Sequence, residues 1–247
     1  MTDTVSGEAK PDPAFLEGFA LTRESLSDTA LRTFLRANLP AGMLLMTDEE
    51  HRANIDTMLS GRDAAEDVWV FAYGSLIWNP IVAHVERRAG TITGYHRRFC
   101  LRVALGRGTP KQPSLTLGLD RGGRCRGVVF RIEAAKARDE LFLLWRREML
   151  TAAYVPRWVT VATDAGPLRA ITFVVNRDHR GYAGRVDEDD VVSCLAAAKG
   201  FLGTSAEYLD QTIAGLKEFG ISDPGLKRLQ RRVKAYVPVR DPIKTTG

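Results

Sequence analysis

The sequence predicts an α+β fold, with one mostly antiparallel, barrel-like sheet and helices packed around it. Three observations lead there. Short runs rich in β-formers cluster in the middle of the chain, and helical periodicity dominates both ends. There is also neither a regular β-helix-β alternation nor an internal repeat.

The elements follow in order. Residues 1 to about 13 are polar and carry Pro and Gly, the composition of a disordered start. "ESLSDTALRTFLRANLP" places Leu31, Phe34 and Leu35 at helical spacing and stops at Pro40. "TDEEHRANIDTMLSG" opens with Thr47 and Glu50 at the spacing of a capping box, with Ile55, Met58 and Leu59 as its apolar stripe. "GRDAAED" reads as a linker. The chain thus divides into an N-terminal helical extension, 1–66, and a main domain, 67–247. The period changes at Val68. "VWVFAY", "GVVFRI" and "AITFVV" are compact strands, "RWVTVAT" alternates, and "GTITGYHRRFCLRVAL" holds further strands. "GRGTPKQPSLTLGLDRGGRC" is rich in Gly and Pro and is expected to be a long loop with one short strand. A helix over 134–150 interrupts the strands. Three helical stretches follow Gly184, the last of them basic.

Composition limits the function classes. Hydrophobic residues make up 45% and charged residues 26% of the 247, an ordinary globular balance. No apolar run approaches the ~20 residues of a spanning helix, and the start lacks an apolar signal core. Cys100, Cys125 and Cys194 are odd in number and widely spaced, which suits a reducing compartment. The expectation is a cytoplasmic protein. His51, His84, His96 and His179 have no metal-ligand spacing, so no metal and no cofactor is expected. A net charge of +5 fits either nucleic acid or a small anionic substrate. Against nucleic acid, the basic "LKRLQRRVKAYVPVR" contains no recognised motif and no interleaved stacking residues.

Two places could carry chemistry. On helix 134–150 the apolar positions Ala137, Leu141, Leu144 and Trp145 lead at the same spacing to Glu148. A carboxylate there is either a structural ion partner or a group set out of water, with a raised pKa suited to a general base. Arg146 and Arg147 point elsewhere on the wheel. In "VWVFAYGSLIWNP", Gly74-Ser75 ends a buried strand. A tight turn explains that ending, and so does a pocket in which backbone amides hold a ligand. Ser75 does not fit a nucleophile elbow. "GYHRRFC" presents His96, Arg97 and Arg98 on a strand, one of which could meet a carboxylate. In "GTSAEYL", Thr204 or Ser205 is the expected N-cap.

Five segments, in order over about residues 68–230, resemble the ChaC-type γ-glutamylcyclotransferases of the γ-glutamylcyclotransferase-like superfamily. They are "VFAYGSLIWNP", "GYHRRFCLR", "GRGTPKQPSLTLGLDRGGRCRGVVFRI", "LLWRREMLTAAYVPRWV" and "LGTSAEYL". The resemblance implies a small mixed barrel with peripheral helices. It also implies a lyase-type enzyme that converts glutathione to 5-oxoproline and cysteinylglycine without metal or cofactor. It assigns catalysis to Glu148 and substrate binding to Tyr73, Gly74, Ser75 and Leu76, flanked by Ala72 and Ile77, with Tyr208 from the "GTSAEYL" segment. Relatives often carry Asn where this chain has Ser205. No motif falls in the first 65 residues. Two alternatives stay open: the same chemistry on other γ-glutamyl amines or peptides, and a non-catalytic regulatory module, which predicts loss of the carboxylate at 148. The expected partner is a small molecule, with no nucleic acid and no membrane. The oligomeric state stays open, with a monomer favoured.

Overall fold

The computed structural model describes Leu16 and residues 18–237, so the expected disordered start lies outside the described residues. Five strands close into a barrel: β1 (Val68–Ala72), β2 (Glu86–Val103), β3 (Ser114–Ile132), β4 (Tyr154–Thr163) and β5 (Gly166–Val175). Their order around the wall is β1-β3-β2-β4-β5. β2–β3 and β4–β5 are antiparallel hairpins, and β1 lies antiparallel to β3 from Val68↔Ile132 to Ala72↔Val128. β5 closes the ring through parallel contacts with β1 and β3. The expected mixed, mostly antiparallel barrel is therefore present. The wall is buried on both faces: Phe71, Leu117, Phe130, Ile171 and Phe173 are all at most 1% exposed, and the β1–β3 register turns Phe71 and Phe130 to opposite sides.

One expectation is corrected. The segment read as a loop with one short strand is a loop only to residue 113, and β3 then runs for 19 residues, shifting register against β2 where Gly122 and Gly123 take left-handed φ of 98° and 74°. Two other glycines of β3 serve a different purpose. A Cβ at Gly127 would sit 2.2 Å from the Ala72 carbonyl oxygen, and one at Gly118 would sit 2.9 Å from Cys100 Sγ. Both positions let neighbouring chains approach closely, which is the other use of glycine in a sheet.

Helix α1 (Arg23–Ser27), α2 (Thr29–Asn38) and α3 (Asp48–Leu59) make up the N-terminal extension, and α4 (Ala137–Glu148) is the central helix. Thr47 and Glu50 form the predicted capping box on α3. The stripe of α4 is buried as read from the sequence, with Leu141, Leu144 and Trp145 fully inaccessible. The Trp145 ring meets Phe173 edge-on at 5.0 Å. The extension is fastened to α4 along its length. Arg23 forks onto Glu140 at 2.5 and 2.9 Å, and Asn54 accepts the Trp145 indole N–H at 2.8 Å. Asp48 takes Arg146 at 2.5 and 3.1 Å. At the end of the helix, Nε2 of fully buried His51 donates to the Met149 carbonyl at 3.2 Å.

The remaining helices, α5 (Glu188–Ala197), α6 (Ser205–Glu218) and α7 (Pro224–Lys234), cover the other side, with a two-residue ribbon, β6 (Lys199–Gly200) and β7 (Gly203–Thr204), before α6. α7 is the basic stretch. Leu226, Leu229 and Val233 face inward, while Arg228 and Arg232 pair with Glu188 and Asp189 at the start of α5. Part of the basic excess is thus neutralised against α5. Among the described residues, no helix is long and apolar enough to cross a membrane.

Candidate active site

β1 delivers the chain to one end of the barrel, and Ser75–Ile77 then forms a single 3-10 turn. Gly74 has φ −135°, so no left-handed turn demands a glycine there. The space is what demands it: a Cβ at Gly74 would lie 3.1 Å from the Tyr208 hydroxyl. Tyr208 stands in the first turn of α6, whose N-cap is Thr204, with Glu207 completing a capping box. Arg97 braces the loop from behind, donating to the Tyr73 carbonyl at 2.6 Å while paired with Asp223 at 3.1 Å.

Glu148 closes α4 and faces the same loop. Its Oε1 lies 3.0 Å from Nε of Arg147, and the carboxylate is 13% exposed. Arg147 also donates to the Ser75 hydroxyl at 2.9 Å and to the Asn79 carbonyl at 2.5 Å. Burial raises the Glu148 carboxyl above the usual carboxylate range, and the adjacent Arg147 opposes it only in part. The Tyr73 hydroxyl donates to the Phe173 carbonyl at 2.9 Å, and the Tyr154 hydroxyl donates to the Leu117 carbonyl at 2.8 Å. Burial keeps both phenols protonated, far above their ordinary pKa.

These groups line a pocket of about 410 Å³, large enough for a small ligand. Glu148, Tyr73, Gly74, Ser75, Leu76 and Tyr208 all reach its wall. Ala72 and Ile77 do not. Both are buried behind the loop, Ile77 against Gly215 of α6. The "GYHRRFC" cations stay outside as well: Arg97 supports the loop, Arg98 lies 3.4 Å from buried Asp120, and His96 meets the Gly122 carbonyl. Ser205 is 1% exposed, with its Oγ 2.5 Å from that of Ser114, so it ties α6 to β3.

Among the wall residues that sequence reading missed are Arg147, Tyr154 and Arg107. Arg147 falls off the apolar stripe of the helical wheel, yet its long side chain folds back onto Glu148 at the helix end. Tyr154 belongs to a quoted segment, and only the closing of β4 against β5 brings it to Glu148. Arg107, on the loop between β2 and β3, gave no periodic signal. The extension also contributes: Phe19 and Leu21 line the pocket, and the Leu21 carbonyl is held by the Asn79 side chain at 2.9 Å.

Comparison with known proteins identifies the family. The family model described as ChaC-like protein matches residues 68–236. The chain belongs to the ChaC-like family. A protein of Escherichia coli K12 named glutathione-specific gamma-glutamylcyclotransferase is 38% identical over 215 residues, 87% of this chain and 92% of the relative. That alignment is longer than residues 68–247 can hold, so it enters the N-terminal helices. A human relative, glutathione-specific gamma-glutamylcyclotransferase 1, is 33% identical over 58% of this ChaC-like chain and 66% of its own length. The crystal structure of a yeast cyclotransferase specific to glutathione superposes with a TM-score of 0.63. It covers 69% of this chain and 96% of that one at 22% identity, a likeness of fold.

Proposed function

We propose that this protein is a γ-glutamylcyclotransferase that releases 5-oxoproline and cysteinylglycine from glutathione, with Glu148 as its general base. The observation that carries the reading is a desolvated carboxylate that shares a pocket with the "YGSL" loop. The chain's likeness to relatives named for this activity supports the choice of substrate.

The chemistry needs few groups. The α-amine of the γ-glutamyl unit attacks its own γ-carbonyl, forming a C–N bond and a five-membered ring. The amide C–N bond to cysteine then breaks. Because both reactants belong to one molecule, the pocket's task is to hold the folded, near-attack shape. The amine proton passes to Glu148 and from there to the departing nitrogen. A carboxyl with a raised pKa suits both transfers better than an ordinary one. Arg147 holds the carboxylate in place from its own anchors on Ser75 and Asn79. For the developing oxyanion, the Tyr73 hydroxyl is poorly placed, since its proton is directed to the Phe173 carbonyl. The amides at Ser75 and Leu76 lead the 3-10 turn, where no intrahelical acceptor exists for them, and they are the donors we assign. Residues 67–247 form the catalytic domain in this reading, and the extension closes one side of its pocket. Cytoplasmic location and action without metal belong to the same proposal.

The deciding experiment is incubation of the purified protein with glutathione, followed by mass spectrometry. Equimolar 5-oxoproline and cysteinylglycine are expected. Release of 5-oxoproline from other γ-glutamyl amines but not from glutathione would move the assignment to those substrates.

A further inference from the structure

Among the described residues, three charged side chains line the pocket: Arg107, Arg147 and Glu148. The last two pair with each other at 3.0 Å and offset one another. The net charge of the wall therefore rests on Arg107.

Arg107 is held in place largely by neutral groups. Its Nη1 donates to the Thr204 carbonyl at 2.8 Å and its Nη2 to the Gln211 side-chain oxygen at 3.0 Å. The guanidinium lies 5.8 Å from the centre of the Trp78 ring and 5.6 Å from that of Tyr208. Its nearest carboxylate, Glu207, stands 3.8 Å away, is 61% exposed, and already accepts the Thr204 amide at 2.8 Å in the cap of α6. Arg107 itself is only 15% exposed. A guanidinium has five donors in a planar fork, and these two bonds leave three. A cation this far out of water, oriented by neutral acceptors, is arranged to receive an anion from the pocket.

The reaction says which anion. If glutathione is the substrate, the γ-glutamyl amine must lie at Glu148, and the α-carboxylate shares its carbon and stays at that end. Glu148 and Arg107 both reach the wall of this one pocket, Glu148 from the end of α4 and Arg107 from the loop between β2 and β3, where its guanidinium lies 5.6 Å from the centre of the Tyr208 ring. A tripeptide carries a second carboxylate at the end away from the γ-glutamyl amine, and Arg107 is the wall cation that Glu148 does not offset. We infer that Arg107 is the receptor for the C-terminal carboxylate of the leaving dipeptide, and hence the residue that selects a peptide over a simple γ-glutamyl amine. This inference rests on the proposed function and adds a leaving-group subsite to it.

The test compares glutathione with its glycinamide analogue, which has the same shape but lacks that carboxylate. For the intact protein, kcat/KM is expected to be about 10- to 100-fold lower for the amide, mainly through KM, the range of a hydrogen bond to a charged group. In Arg107→Gln, kcat/KM for glutathione should fall by the same factor, while the amide should be nearly unaffected. A merely structural role would lower both substrates together. Equal kcat/KM for the two substrates with the intact protein overturns the assignment and leaves the lactam chemistry standing, and that comparison needs no variant to fold. Release of 5-oxoproline from neither substrate overturns the proposed function as well.

Discussion

Replacing Glu148 by Gln keeps the shape of the side chain and removes the proton acceptor. Positioned acid-base catalysis contributes about 10²–10⁴ in rate, so kcat should fall by that factor, or about 3–5.5 kcal/mol of barrier. Stability follows a different ledger. The amide oxygen can still accept from Nε of Arg147, now 3.0 Å from the carboxylate, and the loss from a charged to a neutral acceptor is about 1 kcal/mol. Against this stands the relief of a desolvated charge, which is the larger influence on the Glu148 carboxyl. The two act in opposite directions with the relief the larger, so the melting temperature should hold or rise by only a few degrees. The pH dependence gives the sign. Because the folded pKa is raised, the stability linked to Glu148 is fully present below the unfolded pKa and is lost as pH rises through the folded one. The Gln variant should therefore gain on the parent as pH rises across that window. In the parent, kcat/KM should rise with pH through the same raised pKa, since the base must be ionised. The assay is 5-oxoproline release and thermal unfolding on one preparation. A well-folded Gln variant with near-parental kcat would refute the mechanism, and a large drop in melting temperature with normal turnover would make Glu148 a structural ion partner.

Three further outcomes are expected. Gly74→Val forces a Cβ to within 3.1 Å of the Tyr208 hydroxyl, so KM should rise at least several-fold while melting drops by a few degrees; normal KM with a large loss of stability would mark Gly74 as a folding residue only. His51→Ala removes a fully buried ring and its bond to the Met149 carbonyl, next to Glu148, at a cost of about 2–4 kcal/mol, or roughly 5–10 °C in melting temperature; unchanged melting would show that the extension is only loosely held. Turnover should be unaffected by EDTA, and loss of activity restored by zinc would contradict the metal-free proposal.

The barrel and helix α4 were legible because their signals are local and periodic. The stripe from Ala137 to Trp145 leads to Glu148 by helical spacing alone, and Thr47 with Glu50 declares the start of α3. β3 was obscured because its glycines all look like punctuation in one dimension, while in three Gly122 and Gly123 only shift the register and Gly127 and Gly118 admit the Ala72 carbonyl and Cys100. The site was legible in part. The "YGSL" loop and Tyr208 carried motifs, but Ala72 and Ile77 were included by adjacency, and the path of the chain turns them behind the wall. Arg147 and Arg107 act through long side chains that cross between elements, and no periodicity records where such a chain ends. The role of the extension could not be read either, since its contacts with α4 join residues about 100 apart in sequence.

Phe19 and Leu21 lie outside the residues matched by the family model, yet they share a wall with Glu148 and Tyr73. An inhibitor confined to the Glu148 end would meet surfaces built from the matched residues alone. One elongated enough to rest on Phe19 and Leu21 would also draw contacts from chain that precedes the matched segment. In drug-design terms, the N-terminal side of this pocket is a second handle on the molecule, separate from the part that engages the chemistry.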